Sequence, residues 1–447
     1  MFQKRDCEGF HRRDFLQVGS AGLLGLTLAD VLRTEATAAP RAARDAKGPK
    51  AKSVILVWLS GGPATIDMWD NKPAAPEGIR GEFKSIDTKA PGMQVSECLP
   101  KMAAVGDKIS LVRSLAHTIP SHGPGTVFMT TGNKPSAALQ YPSMGSVAAR
   151  LLSVDKGVPP YVSFSDLRNG VAGNAGYLGA GYNPFGVEGN GGGDKGKGGG
   201  GNMRVRGITL PAGFSLDELD KRDKLLAGFD QGFKELDSNG NLVNGLDAFH
   251  QQALDILRSD KTKKAFDLAA EKPGVRETYG ATPFATSALA ARRLVEAGVR
   301  FVTISTGGWD THGQNFVNLK TKLLPSLDQT LSALIADLDE RGLLDSTIVM
   351  CAGEFGRTPK VNPKAGRDHW ARSMACVLAG GGIKRGYVHG STDASGMAPA
   401  TEPVTPDDVA STIFQQLGVD PHTEMQTPTG RPVQLFREGR VIEKLIA

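Results

Sequence analysis

Two apolar, strand-like runs separated by one amphipathic helix constrain this chain more than any other feature. Residues 300–305, Arg-Phe-Val-Thr-Ile-Ser, are β-branched and apolar enough for a buried strand, and so are residues 347–351, Thr-Ile-Val-Met-Cys. Between them, residues 325–341 set Leu327, Leu331, Leu334 and Leu338 on one helical face, with Pro325 acceptable in the first turn. A strand, a helix and a second strand of this kind predict parallel strands joined by a right-handed crossover. The loop after each strand then leaves from the same edge of the sheet, where open α/β folds hold their ligands. The first loop carries Gly307-Gly308-Trp309-Asp310-Thr311-His312, and the second carries Gly353-Glu354-Phe355-Gly356-Arg357. Topology alone brings Asp310, His312 and Glu354 together.

The rest of the chain extends this rhythm. Residues 53–59 are apolar on both faces, which suits a central strand of a mainly parallel sheet. The glycine turn at Gly61 and Gly62 follows, and then Asp67, which the sequence leaves open as a turn cap or a metal ligand. Residues 109–113 predict another strand, whose loop bears His117 and His122. A helix expected over 125–131 faces that loop with its N-terminus, where free amides and a partial positive charge favour an anion. Capping or packing remains the alternative for both histidines. Helices are expected over 283–297 and 406–417, the latter capped by Thr405, with a strand over 374–378 and an edge element over 430–446. Residues 166–282 break the pattern and read as an inserted cap, helical over 215–233 and 246–268. Its stretch 186–201 is a flexible glycine-rich loop rather than a phosphate cradle, because no Gly-Lys-Ser/Thr closes it.

The N-terminus sets the expected compartment. Arg12-Arg13-Asp14-Phe15-Leu16, a weakly apolar stretch and Ala36-Thr37-Ala38-Ala39 have the layout of a twin-arginine export signal over residues 1–39. Residues 40–52 form a linker with Arg41, Arg44, Lys47, Lys50 and Lys52 against Asp45, so most of the formal charge of +5 sits in one short segment. Charge placed there is no nucleic-acid surface. No later run reaches the ~18 apolar residues of a membrane span. The expected product is an exported domain over 53–447, periplasmic or extracellular, with the twin-arginine export machinery as a partner and no stable membrane anchor. Of the four cysteines, Cys7 falls in the signal, and Cys351 and Cys376 read as core, so neither a disulfide framework nor a Cys-rich metal motif is expected.

The signal, the loops Leu59-Ser60-Gly61-Gly62-Pro63 and Gly308-Trp309-Asp310-Thr311-His312, and the motifs Gly353-Glu354-Phe355-Gly356-Arg357-Thr358-Pro359 and Gly366-Arg367-Asp368-His369-Trp370 together resemble the exported family called domain of unknown function 1501. That family is similar to the alkaline phosphatase and sulfatase superfamily. The resemblance implies an alkaline phosphatase-like three-layer α/β sandwich with a mainly parallel central sheet and an inserted helical, glycine-rich cap. It places Asp310 and His312 at an Asp/His metal pair and His369 at a later metal or substrate histidine. Glu354 stands where relatives have a ligand Asp, and Phe355 stands for a ligand histidine. The nucleophile position falls on His122, where relatives have Ser, Thr or a modified Cys. Asp67 lies several residues beyond the place where relatives set a metal-binding Asp.

Imidazole and carboxylate donors together suit zinc, manganese or iron rather than calcium. The expected ligands are Asp67, Asp310, His312, Glu354 and His369. One site is expected rather than a two-metal clamp, since Phe355 supplies no ligand. His122 is the expected catalytic residue, as nucleophile or as general acid/base. Arg357, Arg367 and His117 are expected to bind the anionic group, with structural ion pairs as the alternative use of the arginines. The expected function is metal-dependent hydrolysis of phosphate or sulfate esters, with a small anionic ester or a sulfated or phosphorylated glycan as partner. The alternative is a non-catalytic protein that binds an anionic ligand or glycan.

Overall fold

Strand β1, Ser53–Leu59, is buried at every position, and its alternation divides its side chains between two cores. Ile55, Val57 and Leu59 enter one, while Val54, Leu56 and Trp58 enter the other. A strand with two apolar faces must be covered on both sides, so the sequence of β1 already demands three layers. The structure is a computed structural model that describes residues 50–164, 173–188, 204–205, 254–256 and 258–447. The expected signal over 1–39 and most of the linker lie outside the described residues. Pairing with the fold begins just before β1, where Ala51 N–H donates to Gln416 O and Lys52 N–H to Ser346 O.

The other strands of the main sheet are β2 (Ile109–Leu115), β3 (Tyr161–Ser163), β4 (Phe185–Glu188), β5 (Arg204–Val205), β6 (Phe301–Thr306), β7 (Thr347–Ala352), β8 (Met374–Ala379) and β9 (Tyr387–His389). Their order across the nine-stranded sheet is β9-β2-β8-β7-β1-β6-β3-β4-β5. Every strand but β8 and β5 runs the same way, since β8 is antiparallel to both β7 and β2, and β5 to β4. The parallel β6 and β7 of the central unit are not neighbours. β1 lies between them and pairs with both.

The longer helices are α1 (His122–Thr131), α2 (Met144–Leu151), α3 (Asp260–Phe266), α4 (Pro273–Tyr279), α5 (Pro283–Glu296), α6 (Leu324–Glu340) and α7 (Pro406–Gln416). α6 buries Leu327, Leu331, Leu334 and Leu338 with α5 on one face of the sheet, while α1, α2 and α7 cover the other. The expected three-layer α/β sandwich with a mainly parallel sheet is the observed architecture.

Three local expectations are corrected. α1 begins at His122, not Gly125, so His122 stands in its first turn. Gly186 and Val187 belong to β4, which extends the sheet beside β3, rather than to a free glycine-rich loop. The 430–446 tail does not edge the main sheet. Pro432–Gln434 pairs with Glu424–Gln426 in a separate ribbon, and Phe436 and Leu445 are buried. The rest of the expected cap falls largely outside the described residues, and its described end, α3 and α4, packs against α5 and α6. No helix among the described residues is long and apolar enough to cross a membrane.

Candidate metal centre

Four loops reach the carboxyl edge of the sheet from parallel strands: Gly61 after β1, His117–His122 after β2, Trp309–His312 after β6 and Glu354–Arg357 after β7. A fifth arrives by reversal. Because β8 runs antiparallel, the segment before it, His369–Trp370, lies at that same edge and pairs with Gly356–Arg357. The one interior strand that breaks the parallel rule is what delivers His369.

Three side-chain atoms meet there. His312 Nε2 lies 3.0 Å from His369 Nε2 and 3.1 Å from Asp310 Oδ1, and His369 Nε2 lies 3.2 Å from Asp310 Oδ1. The other nitrogen of each ring has its own acceptor: His312 Nδ1–H donates to Asp368 Oδ1 at 2.6 Å, and His369 Nδ1–H to the Pro120 carbonyl at 3.0 Å. These partners assign the proton to Nδ1 and leave a lone pair on each Nε2, facing the other and facing a carboxylate. Burial pushes the His369 ring below the usual imidazole value, against the upward pull of Pro120 O and Asp310. Burial alone would raise Asp310, but the hydrogen bond and charge of Arg357 bring it down to about 2.

Three electron-rich atoms turned toward one another suit a shared cation. Ligand atoms about 2.0–2.1 Å from a tetrahedral zinc stand about 3.3 Å apart, close to the separations observed, and two imidazoles with a carboxylate form a donor set for zinc, manganese or iron. The hydrogen-bonded Nδ1 atoms are the outer support such ligands require. The residues therefore fit a metal ion. His122 stands at the rim, with one ligating atom each of His122, Asp310 and His369 within 4.8 Å of one another. Its Nε2 faces Asp310 Oδ2, the opposite carboxylate oxygen, at 3.5 Å.

Other expected site residues are committed elsewhere. Asp67 is buried and receives Arg367 Nε–H and Nη2–H at 2.7 Å each, with Asn315 Nδ2–H at 2.8 Å. This bidentate pair leaves Asp67 no role as a ligand and Arg367 none toward an anion. Arg357 is fully buried and donates to Gly62 O at 2.7 Å and Arg367 O at 3.0 Å, and also to Gly61 O and to Asp310 Oδ1. It tethers Asp310 and three loops instead of gripping a substrate. His117 is buried, donates from Nε2 to Glu354 O at 2.8 Å and accepts Ile119 N–H on Nδ1, so both nitrogens are used. Glu354 does not join the three-atom cluster. Its Oε1 accepts Gly61 N–H at 2.9 Å and His122 Nδ1–H at 2.6 Å.

Asp368, Asn362 and the Pro120 carbonyl were not singled out from the sequence. Asn362 Nδ2–H donates to His312 O at 3.0 Å and reaches Asp368, fixing the acid that orients His312. A carboxylate directly before His369 was a signal that could have been followed. A backbone carbonyl leaves none. Two glycines are required by close approach: a Cβ on Gly61, at φ +123°, would lie 2.4 Å from Asp310 N, and one on Gly366 would lie 2.1 Å from His312 O.

The sequence matches, over residues 51–446, the family described as "Protein of unknown function (DUF1501)". No curated protein shows significant sequence similarity to it. Solved structures with a similar arrangement include an alkaline phosphatase from the Antarctic bacterium TAB5, at 12% identity and a TM-score of 0.37, covering 84% of this chain and 100% of that one. A sulfatase from Pseudoalteromonas sp. aligns at 11% identity and a TM-score of 0.37, covering 83% and 68%. A phosphonate monoester hydrolase from Silicibacter pomeroyi aligns at 11% identity and a TM-score of 0.32, covering 88% and 76%.

Proposed function

This chain belongs to the DUF1501 family of proteins of unknown function, and from that premise we propose that it is an exported, metal-dependent hydrolase of phosphate or sulfate esters. The observation that carries the reading is the mutual approach of His312 Nε2, His369 Nε2 and Asp310 Oδ1 to 3.0–3.2 Å with both Nδ1 atoms bound to acceptors. Asp310, His312 and His369 would hold the ion. When bound, it would polarise an ester oxygen and lower the pKa of a bound water. Asp368 and the Pro120 carbonyl orient the two rings, and Arg357 fixes Asp310 from its buried side. His122, half exposed at the rim, is placed to take or return a proton. Since Arg357, Arg367 and His117 are consumed internally, the anionic group would be met by the ion and by the first turn of α1, whose His122 and Gly123 amides lie at a helix N-terminus. Export by the twin-arginine route rests on the N-terminal sequence, as does a periplasmic or extracellular site of action.

One observation favours a second reading. The first turn of α1 carries His122, where the sequence resemblance expects a hydroxyl or thiol nucleophile, which suits a protein that binds an anionic ester or glycan without turnover. A panel of aryl phosphates, phosphodiesters and aryl sulfates, assayed with zinc, manganese or iron, separates the two. Turnover of at least one substrate that disappears in Asp310→Ala is expected. Binding of such esters without turnover of any would leave the second reading.

A further inference from the structure

We propose that Glu354 is a positioning residue for His122 rather than a metal ligand: it holds the ring with Nδ1 protonated and Nε2 free toward Asp310. The inference rests on the proposed centre at Asp310, His312 and His369. Glu354 leaves the end of β7 with only 3% of its side chain exposed, so its carboxylate is closed to solvent. A single oxygen, Oε1, takes both the Gly61 N–H at 2.9 Å and the His122 Nδ1–H at 2.6 Å. The Gly61 donor is fixed in its turn, because no side chain fits at Gly61 against Asp310 N. Oε2 is buried and has no hydrogen-bond partner among the described residues, so the second oxygen makes none of these bonds.

The ring is confined on its other sides. Phe355 lies 5.1 Å from it between centroids, and His369 meets it edge-on at 4.5 Å. With Nδ1 anchored, Nε2 points at Asp310 Oδ2, opposite the oxygen that His312 and His369 face.

The test uses the full-length protein, its Glu354→Gln and Glu354→Ala variants, and Asp310→Ala. Long-range proton–nitrogen NMR of the histidine rings reads the tautomer, and zinc titration reads the site. The Nδ1–H form of His122 is expected in the wild type and in Glu354→Gln, which keeps Oε1 as an acceptor, while Glu354→Ala turns the ring to a mixture containing Nε2–H. Zinc affinity in both Glu354 variants should change by less than the roughly 10-fold that loss of a ligand's outer partner costs, and Asp310→Ala should lose the ion. Loss of zinc in Glu354→Ala would make Glu354 a ligand and overturn the proposal, as would an unchanged tautomer in that variant. Absence of zinc binding in the wild type would remove the proposed centre, while the tautomer would still decide the role of Glu354.

Discussion

Arg357 and Arg367 show how much of this site is spent on holding its own loops. Each guanidinium is fully buried, and each bonds to backbone carbonyls on separate segments as well as to one acid. A buried pair such as Asp67–Arg367 contributes little relative to an apolar replacement, but breaking it strands a charge. Arg367→Ala is expected to cost about 3–5 kcal/mol, measured by urea denaturation, while Asp67→Leu/Arg367→Met recovers most of that loss. Asp368 belongs to a different class, since it is exposed and touches the protein mainly through His312 and the Asn362 side chain. Asp368→Asn should leave the melting temperature of the metal-free protein unchanged and weaken zinc binding by about 10–100-fold, read by competition with a chromophoric chelator. Unaltered affinity would mean that the His312 ring needs no outer carboxylate.

At the scale of elements, the central β-α-β unit was legible because its signals are local and redundant. Residues 301–306 and 347–352 are apolar runs of strand length, and the leucines of α6 recur at helical spacing. Leu334→Ala in α6, at a fully buried position, should cost about 2–5 kcal/mol in denaturant unfolding without changing zinc affinity. The order of strands was not legible in the same way. Pairing of β1 between β6 and β7, and reversal of β8, depend on which distant segments bury which faces, and periodicity within one segment carries no such information. The convergence of Asp310, His312 and His369 followed from loop positions and motif resemblance, but the uses of Asp67, Arg357, Arg367 and His117 did not. Acids, arginines and histidines in a post-strand loop look alike in sequence, whether they turn outward to a ligand or inward to a carbonyl. Burial separates them, and burial is a property of the folded chain.

Across the whole molecule, the two faces of the sheet do different work. One carries α1 and so His122 at the functional edge, while the other is fastened by a charged network. There Glu271, before α4, meets Arg292 and Arg293 of α5 and Arg341 just after α6. Burial alone would raise the Glu271 carboxyl, but hydrogen bonds and charge from Arg292, with help from Arg293 and Arg341, lower it from 4.5 to about 2. A depressed folded-state value means stability that is complete above the unfolded value and lost as pH falls toward the folded one. Stability should therefore decline as pH falls from about 4.5 toward 2, and Glu271→Gln should flatten that limb in urea melts at stepped pH. The centre itself is tested most directly by elemental analysis of the purified protein beside an Asp310→Ala/His312→Ala double variant. One equivalent of zinc, manganese or iron in the wild type, absent from a folded double variant, is the predicted result. A wild-type protein that carries no such metal and gains no thermal stability from any of the three would contradict the proposed centre.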